Sequence, residues 1–282
     1  MGRRASGVEI SRNYKLDSEE GQVPVGGAIE IHEVTKVFRT DAGDVVALDR
    51  ASLAVAPGEF VSIIGPSGCG KTSLLRIVGD LETPTSGTLT VVGVTPAEAR
   101  KSREIGVVFQ SPALLNWRTV EENVKLPAEV YGEHQVALRV NEMIETVGLA
   151  GFEKSYPREL SGGMQSRVAI ARALNYRPSV LLMDEPFGAL DEITREKMQF
   201  ELIRIWEETE PAVIFITHSI SEALILSDRV VVMSARPGRI LEDLDVEFPR
   251  PRVGSIRTDR RFVEMEGKLR KVLEEGESRS ET

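Results

Sequence analysis

The chain has 282 residues, 41% of them hydrophobic and 28% charged, with a formal net charge of −9. That balance suits one globular domain with a large core and small appendages, and it excludes a disordered chain. The negative sum leaves no global positive field to draw a polyanion, so nucleic acid is not an expected partner.

Cys69 is the only cysteine, which rules out an intramolecular disulfide or a cysteine-rich metal site and fits a reducing, cytosolic setting. No apolar run reaches the roughly 18 residues of a membrane span, and Met1-Gly-Arg-Arg-Ala-Ser-Gly7 lacks the apolar segment of a signal peptide,. Any membrane association is therefore expected to come through a partner.

In chain order, residues 1–27 are polar, contain glycine and show no sustained period, and are expected to form a flexible extension,. Ile29, Ile31 and Val37, then Val45–Leu53, give short β-type runs broken by the turn signal Asp41-Ala-Gly-Asp44,. The apolar run Phe60–Ile64 leads straight into Gly65-Pro-Ser-Gly-Cys-Gly-Lys-Thr-Ser73 and then the helical pattern Leu74-Leu-Arg-Ile-Val78. Strand, glycine-rich turn and helix in that order make a phosphate-binding loop. The glycines let successive backbone N–H groups close on an anion, and the helix aims its positive end at the phosphates. Lys71 is placed to reach the β and γ phosphates and Thr72 to hold Mg²⁺.

Further strands are expected at Thr88–Val92, Ile105–Phe109, Val180–Met183, Val213–Thr217 and Arg229–Met233,. Residues 112–160 carry no strand pattern and read as a mostly helical insert, a helical subdomain spanning about 112–165. Thr119-Val-Glu-Glu122 and Ser219-Ile-Ser-Glu222 look like capping boxes that open helices,. Strands alternating with helices imply an α/β sheet with parallel strands at its centre. After Pro237-Gly238 the pattern changes. Phe248-Pro-Arg-Pro-Arg252 acts as an extended break, and Phe262, Met265, Leu269, Val272 and Leu273 then fall at helical spacing, an amphipathic helix expected to pack on its own domain rather than a partner,. The end, Glu277–Thr282, is expected to fray.

Two further segments carry chemistry. Val180-Leu-Leu-Met-Asp-Glu-Pro186 is an apolar strand ending in paired acids, which puts Asp184 at the sheet edge, where it can orient a Mg²⁺ shell, and Glu185 where it can polarise a water,. An isolated Asp-Glu would more simply cap a helix or sit in solvent; beside a phosphate loop that reading loses. Leu160-Ser-Gly-Gly-Met164 precedes the helical run Val168–Leu174. Ser161 and two glycines at a helix start are either a plain cap or a second anion cradle.

Taken together, and in this order, the segments resemble the nucleotide-binding subunit of ATP-binding cassette (ABC) transporters over roughly residues 29–236. The resemblance implies an α/β P-loop NTPase of the ABC type, with a RecA-like core, an N-terminal antiparallel β subdomain and a helical subdomain. It would occupy residues 28–246, with residues 247–282 as a C-terminal extension. It implies that Gly65, Pro66, Ser67, Gly68, Cys69, Gly70, Lys71, Thr72 and Ser73 bind the phosphates of ATP. Thr72, Gln110 and Asp184 would hold Mg²⁺, Asp184 through water. Glu185 would be the catalytic base, Gln110 would contact the attacking water and sense the membrane partner, and His218 would bond the γ phosphate. Phe38 matches the aromatic that stacks on adenine, although a Phe after a β run is also a plain core residue. Ser161, Gly162 and Gly163 match the signature that binds the γ phosphate held by a second subunit, and Asp191, in Ala189-Leu-Asp191, matches the loop crossing the dimer interface. His32 and His134 match nothing in the family pattern and read as structural or exposed.

The chain departs from the family at Met164, where glutamine is usual, with Gln165 one place later. The stretch Phe109–Val120, Gly-Gly-Met and the Phe-Pro-Arg-Pro-Arg tail look most like the nitrate, sulfonate and taurine importers, with Asn116 where that group commonly has proline. The expectation is thus an ATP-hydrolysing subunit at the cytoplasmic face of the membrane. It would pair with a second copy or a homologous ATPase subunit, with a permease, and through it with an external solute-binding protein. A soluble cassette ATPase acting in assembly or regulation is the alternative. A GTPase or kinase is disfavoured because no Asn-Lys-x-Asp guanine motif occurs.

Overall fold

The structure, a computed structural model, describes residues 27–41, 43–132, 139–188, 190–250, 252 and 254–278. The expected N-terminal extension over residues 1–26, His134, Ala189 and the last four positions of the expected frayed end lie outside the described residues.

β1 (Ile29–Thr40), β2 (Gly43–Val55) and β4 (Ser86–Val91) form an antiparallel sheet in the order β2-β1-β4. A second sheet has the order β5-β6-β7-β3-β8-β9. Its strands are β3 (Phe60–Ile64), β5 (Ile105–Val108), β6 (Val180–Asp184), β7 (Ala212–Ile216), β8 (Arg229–Met233) and β9 (Ile240–Asp245), and all pairings are parallel except β8 with β9. The helices are α1 (Lys71–Val78), α2 (Pro96–Lys101), α3 (Val120–Tyr131), α4 (Val140–Thr146), α5 (Gly162–Leu174), α6 (Glu192–Thr209), α7 (Ile220–Leu226) and α8 (Arg260–Ser278).

The period-two alternation of the central strands divides the core. Val61, Ile63, Leu182, Ile214, Ile216 and Val231 face α1 and the antiparallel sheet, whereas Phe60, Ile64, Leu181, Met183, Phe215 and Val232 face α5, α6, α7 and α8. Both faces are covered, which is why these strands read as continuous apolar runs rather than alternating ones. Ser62, the polar exception on β3, is buried and bonds the hydroxyl of Ser227.

The expected strands lie within about two residues of the predicted positions,. Between Pro112 and Leu160 the described residues hold no strand. The Thr119 box is complete: the Thr119 hydroxyl accepts from Glu122 N, and the Glu122 carboxylate accepts from Thr119 N at 2.8 Å. Asn123, on the same helix, is buried and donates to the carbonyls of Leu115, Arg118 and Thr119, pinning the turn that follows Gln110.

Two elements escape the sequence pattern. β9 is an edge strand whose Ile-Leu-Glu-Asp-Leu-Asp has no buried residue, and α2 is a short helix opened by a Thr95–Glu98 capping box. The second expected box is only half made. Ser219 caps α7 by accepting from Glu222 N at 3.3 Å, but the Glu222 carboxylate turns inward to accept from Thr217 Oγ1 and from Gln199 Nε2 at 3.1 Å.

The tail joins the core. Phe262 and Leu269 of α8 are fully buried, and Phe262 packs on Phe248 with ring centroids 5.7 Å apart. Arg252 is buried and donates to the carbonyls of Leu224 (2.9 Å), Ser227, Val246 (3.1 Å) and Phe248 (3.1 Å). Burial, with Arg250 nearby, pulls its pKa down to about 10.

Candidate functional site

The open edge of the parallel sheet, beyond the carboxyl ends of its strands, is where loops from neighbouring strands converge. β3 ends at Ile64 and the chain turns at once through Gly65–Gly70 into α1. Gly68 (φ 74°) and Gly70 (φ 103°) hold left-handed backbone that suits glycine,. Gly70 is also confined by β2, since a Cβ there would stand 2.6 Å from Ala47 O and 2.8 Å from Leu48 Cδ2. Lys71 is buried, and its Nζ donates to the carbonyls of Gly65 (2.7 Å) and Pro66 (2.9 Å). The ammonium thus arches back over its own loop, where phosphate oxygens would compete for the same donors. Cys69 is buried inside the turn.

From β6, two strands away across β7, Asp184 meets the helix start: Thr72 Oγ1 donates to Asp184 Oδ1 at 3.2 Å. Burial, against the Thr72 hydrogen bond and with the neighbouring Glu185 charge, raises the Asp184 pKa above its ordinary value. A hydroxyl and a half-desolvated carboxylate beside a phosphate cradle are hard oxygen donors of the kind Mg²⁺ takes while keeping water and phosphate ligands. Among the described residues no cluster of three or more His, Cys, Asp or Glu could hold a metal by itself.

Glu185 has φ 45°, left-handed backbone that is costly for a non-glycine residue and recurs at functional sites,. Its amide donates to Ile216 O of β7 at 3.0 Å. Its Oε2 accepts from Gln110 Nε2 at 3.3 Å and lies 3.5 Å from His218 Nδ1. Gln110, Glu185 and His218 come from the loops after β5, β6 and β7, and the sheet order brings them together around one carboxylate. The Glu185 side chain is 24% exposed and that of His218 61%.

Ser161 caps α5, its hydroxyl accepting from Met164 N at 3.3 Å. Gly163 is buried, and a Cβ there would meet Thr194 Cγ2 at 2.9 Å. Among the described residues no hydrogen bond joins Ser161, Gly162 or Gly163 to the loop 65–73. Met164 packs against the core, and Gln165 turns away to donate to the carbonyls of Pro157 (3.0 Å) and Leu160 (3.4 Å), so it does not stand in for the glutamine usual at 164. Asp191 caps α6 by accepting from Thr194 N at 3.0 Å, and the Thr194 hydrogen bonds hold its pKa low. Phe38 is half-buried opposite Val45, two residues before Ala47, with the Lys36 ammonium 4.8 Å from its ring. His32 is exposed.

Sequence reasoning did not single out the β8–β9 hairpin. Gly238 N donates to Ala47 O and Gly238 O accepts from Asp49 N, both at 3.0 Å, while Arg236 donates to Gly68 O at 3.2–3.3 Å. The hairpin therefore braces the phosphate loop from the side opposite β7. The "Pro-Gly" turn was visible in the sequence; its place against the loop was not.

The family model described as ABC transporter matches residues 48–188. This chain belongs to that family. It is 45% identical, over 88% of its own length and 91% of the other's, to an uncharacterized ABC transporter ATP-binding protein of Methanocaldococcus jannaschii. It is also 45% identical to the aliphatic sulfonates import ATP-binding protein SsuB of Bacillus cereus (79% of this chain, 88% of that one) and to the nitrate import ATP-binding protein NrtD of Synechococcus elongatus (80% and 84%). A dimeric ATP-binding cassette solved in a post-hydrolysis state with ADP and Pi superposes with a TM-score of 0.69 at 32% identity, covering 78% of this chain and all of that one. The cassette fold inferred from the sequence is the one observed. No helix among the described residues is long and apolar enough to cross a membrane.

Proposed function

We propose that this chain is the ATP-binding and ATP-hydrolysing subunit that energises an ABC membrane importer. The observation that carries the reading is the convergence of Gln110 and His218 on the Glu185 carboxylate, beside a phosphate loop whose lysine and threonine are already in place. The amides of residues 65–73 and the start of α1 cradle the phosphates, and Lys71 exchanges its two loop carbonyls for β and γ phosphate oxygens. Thr72, Gln110 and Asp184, the last through water, would hold Mg²⁺, which would neutralise phosphate charge when bound. Glu185 takes the proton of the attacking water, Gln110 orients that water, and His218 donates to the γ phosphate. Phe38 stacks on adenine.

Among the described residues the signature makes no hydrogen bond to its own phosphate loop, and the similar cassette solved with ADP and Pi is dimeric, which supports a second copy, or a homologous ATPase subunit, completing each site. Ser161, Gly162 and Gly163 of one subunit close on the nucleotide of the other, and Asp191 crosses the interface. The helical insert carries this motion to a permease, which holds the subunit at the cytoplasmic face of the membrane. The names of the sulfonate and nitrate import relatives support a small oxyanion or taurine-like solute, delivered to the permease by an external solute-binding protein.

Glu185→Gln tests the assignment. ATP binding by equilibrium titration should be retained while turnover falls about 10²- to 10⁴-fold; hydrolysis at the wild-type rate would refute it.

A further inference from the structure

We infer that Arg257, in the C-terminal tail, is a positioning residue for His218 and acts through a continuous buried chain of hydrogen bonds. Arg257 sits in the short 3₁₀ turn Gly254–Thr258 and donates from Nη2 to Gln199 Oε1 at 3.3 Å. Gln199, 2% exposed on α6, donates from Nε2 to Glu222 Oε1 at 3.1 Å. Glu222, 5% exposed, accepts at its other oxygen from Thr217 Oγ1, and that hydroxyl accepts in turn from Ser219 N at 3.0 Å. Thr217 and Ser219 flank His218 in sequence, and His218 faces Glu185. The chain of bonds thus runs from the tail, through two helices, to both sides of the histidine.

The chemistry gives the chain a direction. A glutamine amide is an acceptor at one end and a donor at the other. The guanidinium of Arg257 is a donor only, so it fixes Oε1 of Gln199 outward and Nε2 toward the Glu222 carboxylate, which is an acceptor only when ionised. With the amide turned over, NH₂ would meet the guanidinium and the carbonyl would meet the carboxylate, two mismatches in a desolvated site. Arg257 therefore latches the amide. Its loss frees Gln199 to turn, Glu222 loses a donor it needs in the interior, and the Thr217–Ser219 segment that presents His218 loses its anchor. Arg257 also lies 3.5 Å from Glu196, an ion pair at the surface that is not part of the chain.

The kinetic consequence rests on the ATPase reading above, so the test includes a readout that does not. Imidazole NMR of the full chain, which has three histidines, is assigned by loss of the His218 signals in His218→Ala. Arg257→Ala and Gln199→Leu should each shift the His218 resonances and leave His32 in place, Arg257→Lys should restore them in part, and Glu196→Gln should leave them at wild-type positions. In ATPase assays Arg257→Ala should lower kcat on the order of tenfold, with KM for ATP within about twofold, and should cause no further loss in the His218→Ala background. An unmoved His218 signal in both Arg257→Ala and Gln199→Leu overturns the inference, as does an equal proportional loss of kcat with and without His218. A His218 signal that shifts in the Arg257 and Gln199 variants of a chain whose wild type shows no ATPase activity supports the chain of bonds and refutes the ATPase reading instead.

Discussion

Gly238→Ala adds one carbon where the structure has no room for it. The new Cβ would penetrate the carbonyl oxygen of Cys69, inside the phosphate loop, and stand 2.9 Å from Met233 Cε and 3.1 Å from Ala47 O. Two of those three neighbours are backbone, which cannot swing aside. Gly238 is itself tied to β2 on both sides by its bonds to Ala47 and Asp49, so the yielding element must be the phosphate loop or the hairpin. Overpacking of this kind costs about 1–3 kcal/mol, and contact with rigid backbone places Gly238→Ala at the upper end. Restoring contact distance parts the hairpin and Cys69 by about 1 Å, and a displacement of that size in groups that orient a reactant costs on the order of 10²-fold. ATP turnover should therefore fall about 100-fold, and the melting temperature by roughly 2–4 °C per kcal/mol lost. Gly267→Ala is the matched control: it lies within α8 with nothing inside 4 Å of the added carbon, and it should gain about 0.5–1 kcal/mol. Wild-type ATP turnover and melting temperature in Gly238→Ala would refute the argument that the hairpin sets the shape of the loop.

Burial raises the Glu222 pKa above the ordinary glutamate value, so its contribution to stability is full below that ordinary value and is lost as pH rises through the elevated one. Wild-type stability should accordingly fall as pH rises through that elevated value, and Glu222→Gln, which has no proton to lose there, should remove this part of the pH dependence,; an unchanged pH dependence of the thermal melts in Glu222→Gln would contradict this. Ser161→Arg fills the exposed start of α5 without touching residues 65–73, so monomer affinity for ATP should stay within about twofold while ATP-driven dimerisation, followed by light scattering, and hydrolysis fall at least about 100-fold. Strong loss of monomer binding would place the signature on its own loop.

What was legible in the sequence was local. The glycine spacing of residues 65–70, the Thr119–Glu122 box and the apolar runs of β3, β6, β7 and β8 each carry their geometry within a few residues. The partners of Glu185 were legible only through resemblance, because Gln110 and His218 lie 75 and 33 residues away and meet it through sheet order. The Ser219–Glu222 spacing reads as a capping box but only its Ser219 half forms, because the hydrogen bonds from Thr217 and Gln199 to the Glu222 carboxylate outweigh its local reach to Ser219 N. Arg252 was read as part of an extended break. Its burial could not be inferred, because the carbonyls that satisfy it belong chiefly to the end of α7 and the start of the tail, which nothing in Phe-Pro-Arg-Pro-Arg announces.

The position of α7 draws these observations together. Its first residue follows Ser219, next to His218, and its last turn offers the carbonyls of Leu224, Ile225 and Ser227 to the Arg252 guanidinium. A cation on carbonyls at a helix C-terminus satisfies orphan acceptors and complements the helix dipole. Through Gln199 and Glu222 the tail also reaches the helix start. Both ends of the helix that presents His218 are therefore held by residues beyond position 250. Removing the tail would uncover Phe248 and strip several buried carbonyls of their donor, at about 1–3 kcal/mol for each left unsatisfied. A truncated chain would thus lose activity through instability whatever the tail does for His218. Side-chain substitutions at Arg257, whose guanidinium is part-exposed, and at Gln199 leave the Arg252 contacts and the Phe248 packing in place, and so separate positioning from stability in a way that deletion does not.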